Sequence, residues 1–296
     1  MPQTEKPLFP PIALVLAAVI LWSTGGLFIK LTSLDPFAVN AGRSAFAAVV
    51  VAIFTFRKGL KIDGFTVFVS LLYAGTLTCF VYATKNTTAA NAIFLQYTAP
   101  VYILLLSPLI LGEKFQYKDL VTVVVCIGGM SLFFVENRES ASAPNIFGGN
   151  IAALISGAFF GLYMIFLRHP RSLTKNPAIS VFYGNLIIGL LMLPFLIQSP
   201  PAQVSAKDWM AITFLGVFQI GTAYILFTKG LAAGVRAMDA SIVGFIEPLF
   251  NPIWVFLFVG ERPSAWAVLG GTIIVLTVAL HTVRQNRLKE PFVVET

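Results

Sequence analysis

The chain has 296 residues, 57% of them hydrophobic and 11% charged, with a formal net charge of +7. Soluble domains carry about a quarter charged residues, so this composition excludes an ordinary soluble enzyme and points to a membrane protein. No basic cluster is interleaved with exposed aromatics, which argues against nucleic-acid binding.

Windows of about 19 residues predict ten membrane spans in chain order. The first five are Ile12–Leu31, Phe37–Phe56, Phe65–Thr84, Ala89–Leu111 and Leu120–Val135. The second five are Phe147–Leu167, Ala178–Ile197, Trp209–Thr228, Met238–Phe258 and Ala265–Val283. No small-residue cleavage site follows the first apolar run, so that run is expected to be an uncleaved span. Most connections hold breakers such as Asp35-Pro36, Asp63-Gly64, Asn176-Pro177 and Ser199-Pro200-Pro201. The polar stretch 136–145 reads as a linker between a first unit, 1–135, and a second, 146–284.

The fourth and ninth spans repeat one another about 148 residues apart. Ala89, Ala92, Pro100, Leu109, Gly112 and Glu113 recur without a gap as Ala237, Ala240, Pro248, Leu257, Gly260 and Glu261, and Lys114 recurs as Arg262. A repeat of this length divides the chain into two halves of five spans. Counting Lys and Arg by side gives fourteen against five, with Arg43 left inside a span, which places both termini in the cytoplasm. Five is odd, so the second half enters the membrane inverted. Inverted halves around a midplane site are the plan of many secondary transporters.

Leu21-Trp22-Ser23-Thr24-Gly25, Arg43 and the paired Ala…Pro…Gly-Glu-basic helices carry a family resemblance that covers both halves. The chain resembles the drug/metabolite transporter superfamily, in its ten-span branch of two EamA-like repeats, and within it the YddG-like amino-acid exporters. The second half departs by having Phe159-Phe160-Gly161 where the first has its tryptophan, and Gly184 or a neighbour for the arginine. The resemblance implies export of small metabolites, commonly amino acids, through a central cavity between the halves. It also implies that the third, fourth, eighth and ninth spans are central, in a multi-pass protein of the cell inner membrane.

At 3.6 residues per turn the repeated spans each show one distinctive stripe. It reads Ala92, Gln96, Ala99, Ile103 in the fourth span and Ala240, Gly244, Glu247, Asn251 in the ninth, followed by Trp254. Such a stripe either lines a cavity or packs helices closely through small residues. Glu247 is the sharpest candidate, because a carboxylate at mid-bilayer usually faces a cavity or a partner. It can serve as counter-charge to a substrate ammonium, as a protonatable coupling group, or as a brace for a kink at Pro248. Arg43 can answer a substrate carboxylate, or can be the structural partner of Glu247 or of backbone carbonyls. Gln219 and Tyr82 supply further polar groups at depth. The substrate-binding candidates are therefore Gln96, Glu247, Asn251, Tyr82, Gln219 and Arg43.

Glu113 and Glu261 read as helix-end ion pairs or gate contacts. Cys79 and Cys126 read as packing residues, and His169 and His281 lack a second ligand at useful spacing, so no metal or other cofactor is expected. No GxxxxGK[ST], HExxH or GxSxG motif is present, leaving little for ATP-driven pumping or catalysis to use. The expected partners are a small-molecule substrate and the lipid bilayer, and the sequence is compatible with a monomer. The alternatives are another metabolite class, such as a nucleobase, sugar or cationic drug, or a passive channel or intramembrane enzyme.

Overall fold

The computed structural model describes residues 10–132, 144–198, 204–259 and 265–289. Among these residues the secondary structure is entirely helical. The helices are α1 (Pro11–Trp22), α2 (Gly25–Leu31), α3 (Pro36–Thr55), α4 (Gly64–Asn86), α5 (Ala89–Gln96), α6 (Ala99–Leu111), α7 (Tyr117–Ser131) and α8 (Ile146–Arg168). They continue with α9 (Pro170–Leu173), α10 (Ile179–Ile197), α11 (Ala206–Phe214), α12 (Ala223–Ala232), α13 (Ala237–Gly244), α14 (Glu247–Val259) and α15 (Ala265–Lys289). A π-helical segment, Leu215–Thr222, joins α11 to α12.

Among the described residues, eight helical stretches are long and apolar enough to cross a membrane. Two of the ten expected spans fall outside that set. The one expected at 120–135 is seen as α7, which ends one residue short of a stretch outside the described residues. The one expected at 238–258 is interrupted between α13 and α14. The linker expected at 136–145 lies outside the described residues except for Pro144 and Asn145, and Asn145 caps α8 by accepting from Gly148 N at 2.9 Å.

The breakers seen in the sequence act as helix caps. Asp35 accepts from Phe37 N at 2.8 Å with Pro36 in the first turn, and Asp63 accepts from Thr66 N at 2.8 Å. Each cap satisfies a backbone donor that the first turn leaves without a helical acceptor. Large apolar side chains such as Ile53, Leu109, Leu191 and Leu280 are each at least 70% exposed. So many bare aliphatic groups suit a hydrocarbon surround, in which backbone groups must be bonded internally, as they are within these helices.

Three spans are broken where a straight or kinked helix was expected. In the first, the Ser23 and Thr24 hydroxyls turn back onto the carbonyls of Ile20 and Leu21 at 2.6 and 2.7 Å, and the helix restarts at Gly25. In the fourth, α5 stops at Gln96 and α6 restarts at Ala99; in the ninth, α13 stops at Gly244 and α14 restarts at Glu247. All four boundaries of the fourth span match those of the ninth under the sequence repeat. Pro100 and Pro248 thus sit in the first turn of a new helix, where a missing N–H is tolerated.

The packing respects the same correspondence. α4 lies along α8 as α12 lies along α1, α4 packs on α10 as the π segment packs on α3, and the counterpart pairs α3–α10 and α7–α15 touch each other. Exchanging the halves leaves these contacts unchanged.

Candidate functional site

The two breaks meet at the middle of the bundle. Tyr97, just after α5, and its repeat counterpart Phe245, just after α13, pack ring to ring with centroids 5.1 Å apart. The Tyr97 hydroxyl lies 2.5 Å from the Gly244 carbonyl oxygen and 2.9 Å from Glu247 Oε2. On the other side, Gly157 and Gly161 of α8 bring that helix onto the first break. A Cβ on Gly157 would stand 2.6 Å from Thr98 Oγ1 and 2.7 Å from the Gln96 carbonyl. Only a residue without a side chain fits there.

Beside the breaks is a cavity of about 30 Å³, room for about two waters. Trp22, Arg43, Gln96, Gln219, Tyr224 and Glu247 face it, and Leu77, Phe80, Phe160 and Ile220 complete its wall. Four of the six predicted site residues are therefore brought together from four different spans. The walls also draw on the first, second and sixth spans, beyond the four central ones expected.

Each polar group has a distinct setting. Arg43 is fully buried; its Nε donates to Asn40 Oδ1 at 3.0 Å, and Nη2 donates to the Leu77 carbonyl at 3.3 Å. Its Nη1 has no hydrogen-bond partner among the described residues. Of the roles open to Arg43, bonding to backbone is realised and pairing with Glu247 is not. Gln96 Nε2 donates to Ser156 Oγ at 2.7 Å, which donates on to the Thr76 carbonyl at 2.9 Å, so α5, α8 and α4 are tied in series. Gln219 lies in the π segment, whose wider turn is closed by Thr222 Oγ1 donating to the Val217 carbonyl at 2.9 Å. Its Oε1 is buried without a partner among the described residues. π turns are frequent at functional sites because they re-aim a side chain without ending the helix.

Tyr82 lies elsewhere: its ring stacks on Phe37 at 6.1 Å and it is not part of the cavity wall. The Asn251 side chain lies outside the described residues. Trp254, at the end of the same stripe, donates from Nε1 to Ser23 Oγ at 3.0 Å and so ties the ninth span to the break in the first.

One side of the cavity is closed by rings. Tyr224 packs on Trp22 at 4.7 Å and on Tyr73 at 4.8 Å, Trp22 on Phe227 at 4.8 Å, and Tyr73 on Tyr163 at 5.4 Å. All are buried. At the opposite end two lysines tie the first and third spans reciprocally. Lys30 Nζ donates to the Thr87 carbonyl at 2.9 Å, and Lys85 Nζ donates to the Thr32 carbonyl at 2.7 Å.

Beyond the ring layer is a cluster the sequence reading missed. Arg236 donates to both carboxylate oxygens of Asp239, at 3.1 and 2.6 Å, and to Asp119 at 3.2 Å. His281 Nε2 lies 3.1 Å from Asp239 Oδ1. The signal available was Asp239, an acidic residue inside a predicted span. Its partners are far away in sequence, so no local pattern joins them. Glu113 sits near this cluster without an ion pair among the described residues. Burial raises its carboxyl above the usual range, and Arg236 and Arg168 pull it back. Glu261 lies outside the described residues.

A family profile described as the EamA-like transporter family matches residues 9–135 and again 147–283. An uncharacterized transporter of Archaeoglobus fulgidus is 25% identical over 269 residues, covering 90% of this chain and 94% of its own length. The pseudopaline exporter CntI of Pseudomonas aeruginosa is 24% identical over 212 residues, 71% of this chain and 72% of its own. A solved crystal structure, 20% identical, superposes with a TM-score of 0.77 over 95% of this chain and 99% of that one, which shows a shared fold.

Proposed function

Since the chain belongs to the EamA-like transporter family, we propose that it exports small metabolites, amino acids foremost, by alternating access around the central cavity. The observation that carries this reading is the pair Arg43 and Glu247. One basic and one acidic group face one cavity from different halves without an ion pair between them. In a state opened wider than this one, a zwitterion would satisfy both, its carboxylate meeting Nη1 of Arg43 and its ammonium meeting Glu247. Gln96 and Gln219 add neutral hydrogen-bonding groups, and Trp22 and Tyr224 an apolar wall.

The mechanism follows from the breaks. The matched half-helix boundaries and the contact between Tyr97 and its counterpart Phe245 support two inverted five-span halves that meet at mid-membrane. Rocking one half against the other would open the ring layer and the lysine-tied end in turn. The Lys and Arg distribution supports cytoplasmic termini in the cell inner membrane, which puts the ring layer and the Arg236 cluster on the cytoplasmic side. A relative named as an exporter supports the outward direction.

Counterflow in proteoliposomes with a panel of amino acids and sugars tests the reading. Saturable amino-acid counterflow, lost in Arg43→Gln, is expected. Counterflow with sugars alone would move the substrate to another class, and substrate-independent conductance would make the protein a channel.

A further inference from the structure

The Tyr97 hydroxyl has more acceptors than protons. Its oxygen is 2.5 Å from the Gly244 carbonyl and 2.9 Å from Glu247 Oε2, both within hydrogen-bond range. A phenol donates one proton and a carbonyl donates none. The Gly244 carbonyl has first claim on that proton. Its regular helical partner would be the N–H of residue 248, and Pro248 has none. With the phenol proton committed to Gly244, the second short contact needs a proton from the carboxyl side. Were Glu247 ionised, either the carbonyl or the carboxylate would face a bare oxygen lone pair in a buried site.

The surroundings point the same way. Glu247 is 7% exposed, and among the described residues no Lys, Arg or His nitrogen lies within 4.0 Å of it. The groups that share its cavity are Arg43 from α3, Tyr224 from α12, Gln96 from α5, Gln219 from the π segment and Trp22 from α1. Arg43 is the one cation among them, and two of its nitrogens are engaged by Asn40 and the Leu77 carbonyl.

We propose that Glu247, Tyr97 and the Gly244 carbonyl form a proton-binding site, with a proton held on Glu247 in this conformation and exchanged for a cationic substrate group. The relay runs from Glu247 O–H to the Tyr97 oxygen, and from Tyr97 O–H to Gly244. When an ammonium enters, the carboxyl O–H bond breaks and its proton passes to cavity water. The carboxylate then pairs with the ammonium, so at Glu247 one positive group replaces one proton, while the carboxylate of a zwitterion is carried by Arg43. Tyr97 turns its own proton toward the carboxylate and releases Gly244. That carbonyl ends α13, so loss of the proton is felt at the break where the halves meet. The coupling rests on the transport reading above; the bound proton does not.

Infrared spectroscopy of the purified full chain tests it. A carboxylic-acid C=O band is expected at neutral pH, shifted by carbon-13 glutamate labelling, absent in Glu247→Gln, and moved to higher frequency in Tyr97→Phe, which removes the acceptor of its O–H. Absence of a label-sensitive acid band in the wild type, or a band unmoved by Tyr97→Phe, would overturn the proposal. The shift of the label-sensitive band in Tyr97→Phe assigns it to Glu247 even where Glu247→Gln fails to fold. A missing band with intact counterflow removes the proton site and leaves the transporter; a present band without counterflow does the reverse.

Discussion

Asp119 and Asp239 lie at one end of the bundle and Glu247 at its middle, and all three are buried, at 3%, 4% and 7% exposure. Their surroundings differ in one respect. Arg236 reaches both aspartates and His281 closes on Asp239, whereas Glu247 has a single phenol. Burial disfavours the charge on Arg236, but hydrogen bonds and the field from Asp239 and Asp119 more than offset it and hold it protonated. The paired carboxylates have little left to offer a ligand and bind α7, α13 and α15 to one another. On the proposal above, the unpaired one has a proton or a ligand to exchange, and partnership, more than depth, would separate structural from working charge.

The largest effect should come from breaking the paired cluster. Arg236→Ala leaves two buried aspartates without their shared cation, and removing one partner of a buried pair costs about 3–5 kcal/mol. Thermal unfolding in detergent should show a large drop in midpoint, with Arg236→Lys intermediate because an ammonium cannot bond both Asp239 oxygens as a fork does. An unchanged midpoint in Arg236→Ala would mean that the cluster is solvated and the contrast with Glu247 is false. Next in size is Gly157→Ala, which drives a methyl into Thr98 and the Gln96 carbonyl at the first break. Overpacking of this kind costs about 1–3 kcal/mol. Because α8 closes on the cavity through this glycine, transport should fall along with stability.

Glu247→Gln should do the opposite. An amide N–H₂ can donate to Tyr97 as the protonated carboxyl does, so stability should change by less than about 1 kcal/mol. Amino-acid counterflow should nevertheless be lost, since the amide can neither ionise nor hold an ammonium. A folded variant that still transports would place Glu247 with the structural carboxylates.

How much of this was legible in the sequence follows from what each signal encodes. Hydropathy locates membrane segments because twenty apolar residues in a row have few other uses, and α3, α4, α8 and α10 lie where it puts them. The internal repeat marks the fourth and ninth spans as special, and the structure breaks both at the same register. Hydropathy alone could not show that these are breaks. The prolines suggested a kink within one helix, while the interruption falls two to three residues ahead of each, at Tyr97-Thr98 and Phe245-Ile246. Rarity of charge in a span singled out Arg43 and Glu247, which the structure puts on one cavity. Tyr82 was chosen on residue type, and type says nothing of which way a helix is rotated. The Arg236 cluster needed long-range pairing of Asp119 with residues 236 and 281, which no local pattern encodes.

A third kind of carboxylate separates pairing from burial, and it should give the smallest effect. Asp63 caps α4 and meets Lys175 Nζ at 2.5 Å, a shorter contact than any that Arg236 makes. The side chain is 53% exposed, so water screens the pair, and exposed ion pairs contribute little. The hydrogen bond from Lys175, then those from Thr66, hold its carboxyl below the usual aspartate range. A depressed folded value contributes stability that is fully present above the unfolded value, about 3.9, and lost as pH falls through the folded one. Lys175→Ala should therefore shift the unfolding midpoint only slightly, by an amount unchanged from neutral pH down to about pH 5, and the shift should vanish only in stronger acid. Rising salt should shrink it at neutral pH, while the Arg236→Ala deficit stays nearly constant, because counter-ions reach one pair and not the other. If Lys175→Ala matched Arg236→Ala in size or salt response, short distance alone would explain both, and burial would lose its place in the comparison.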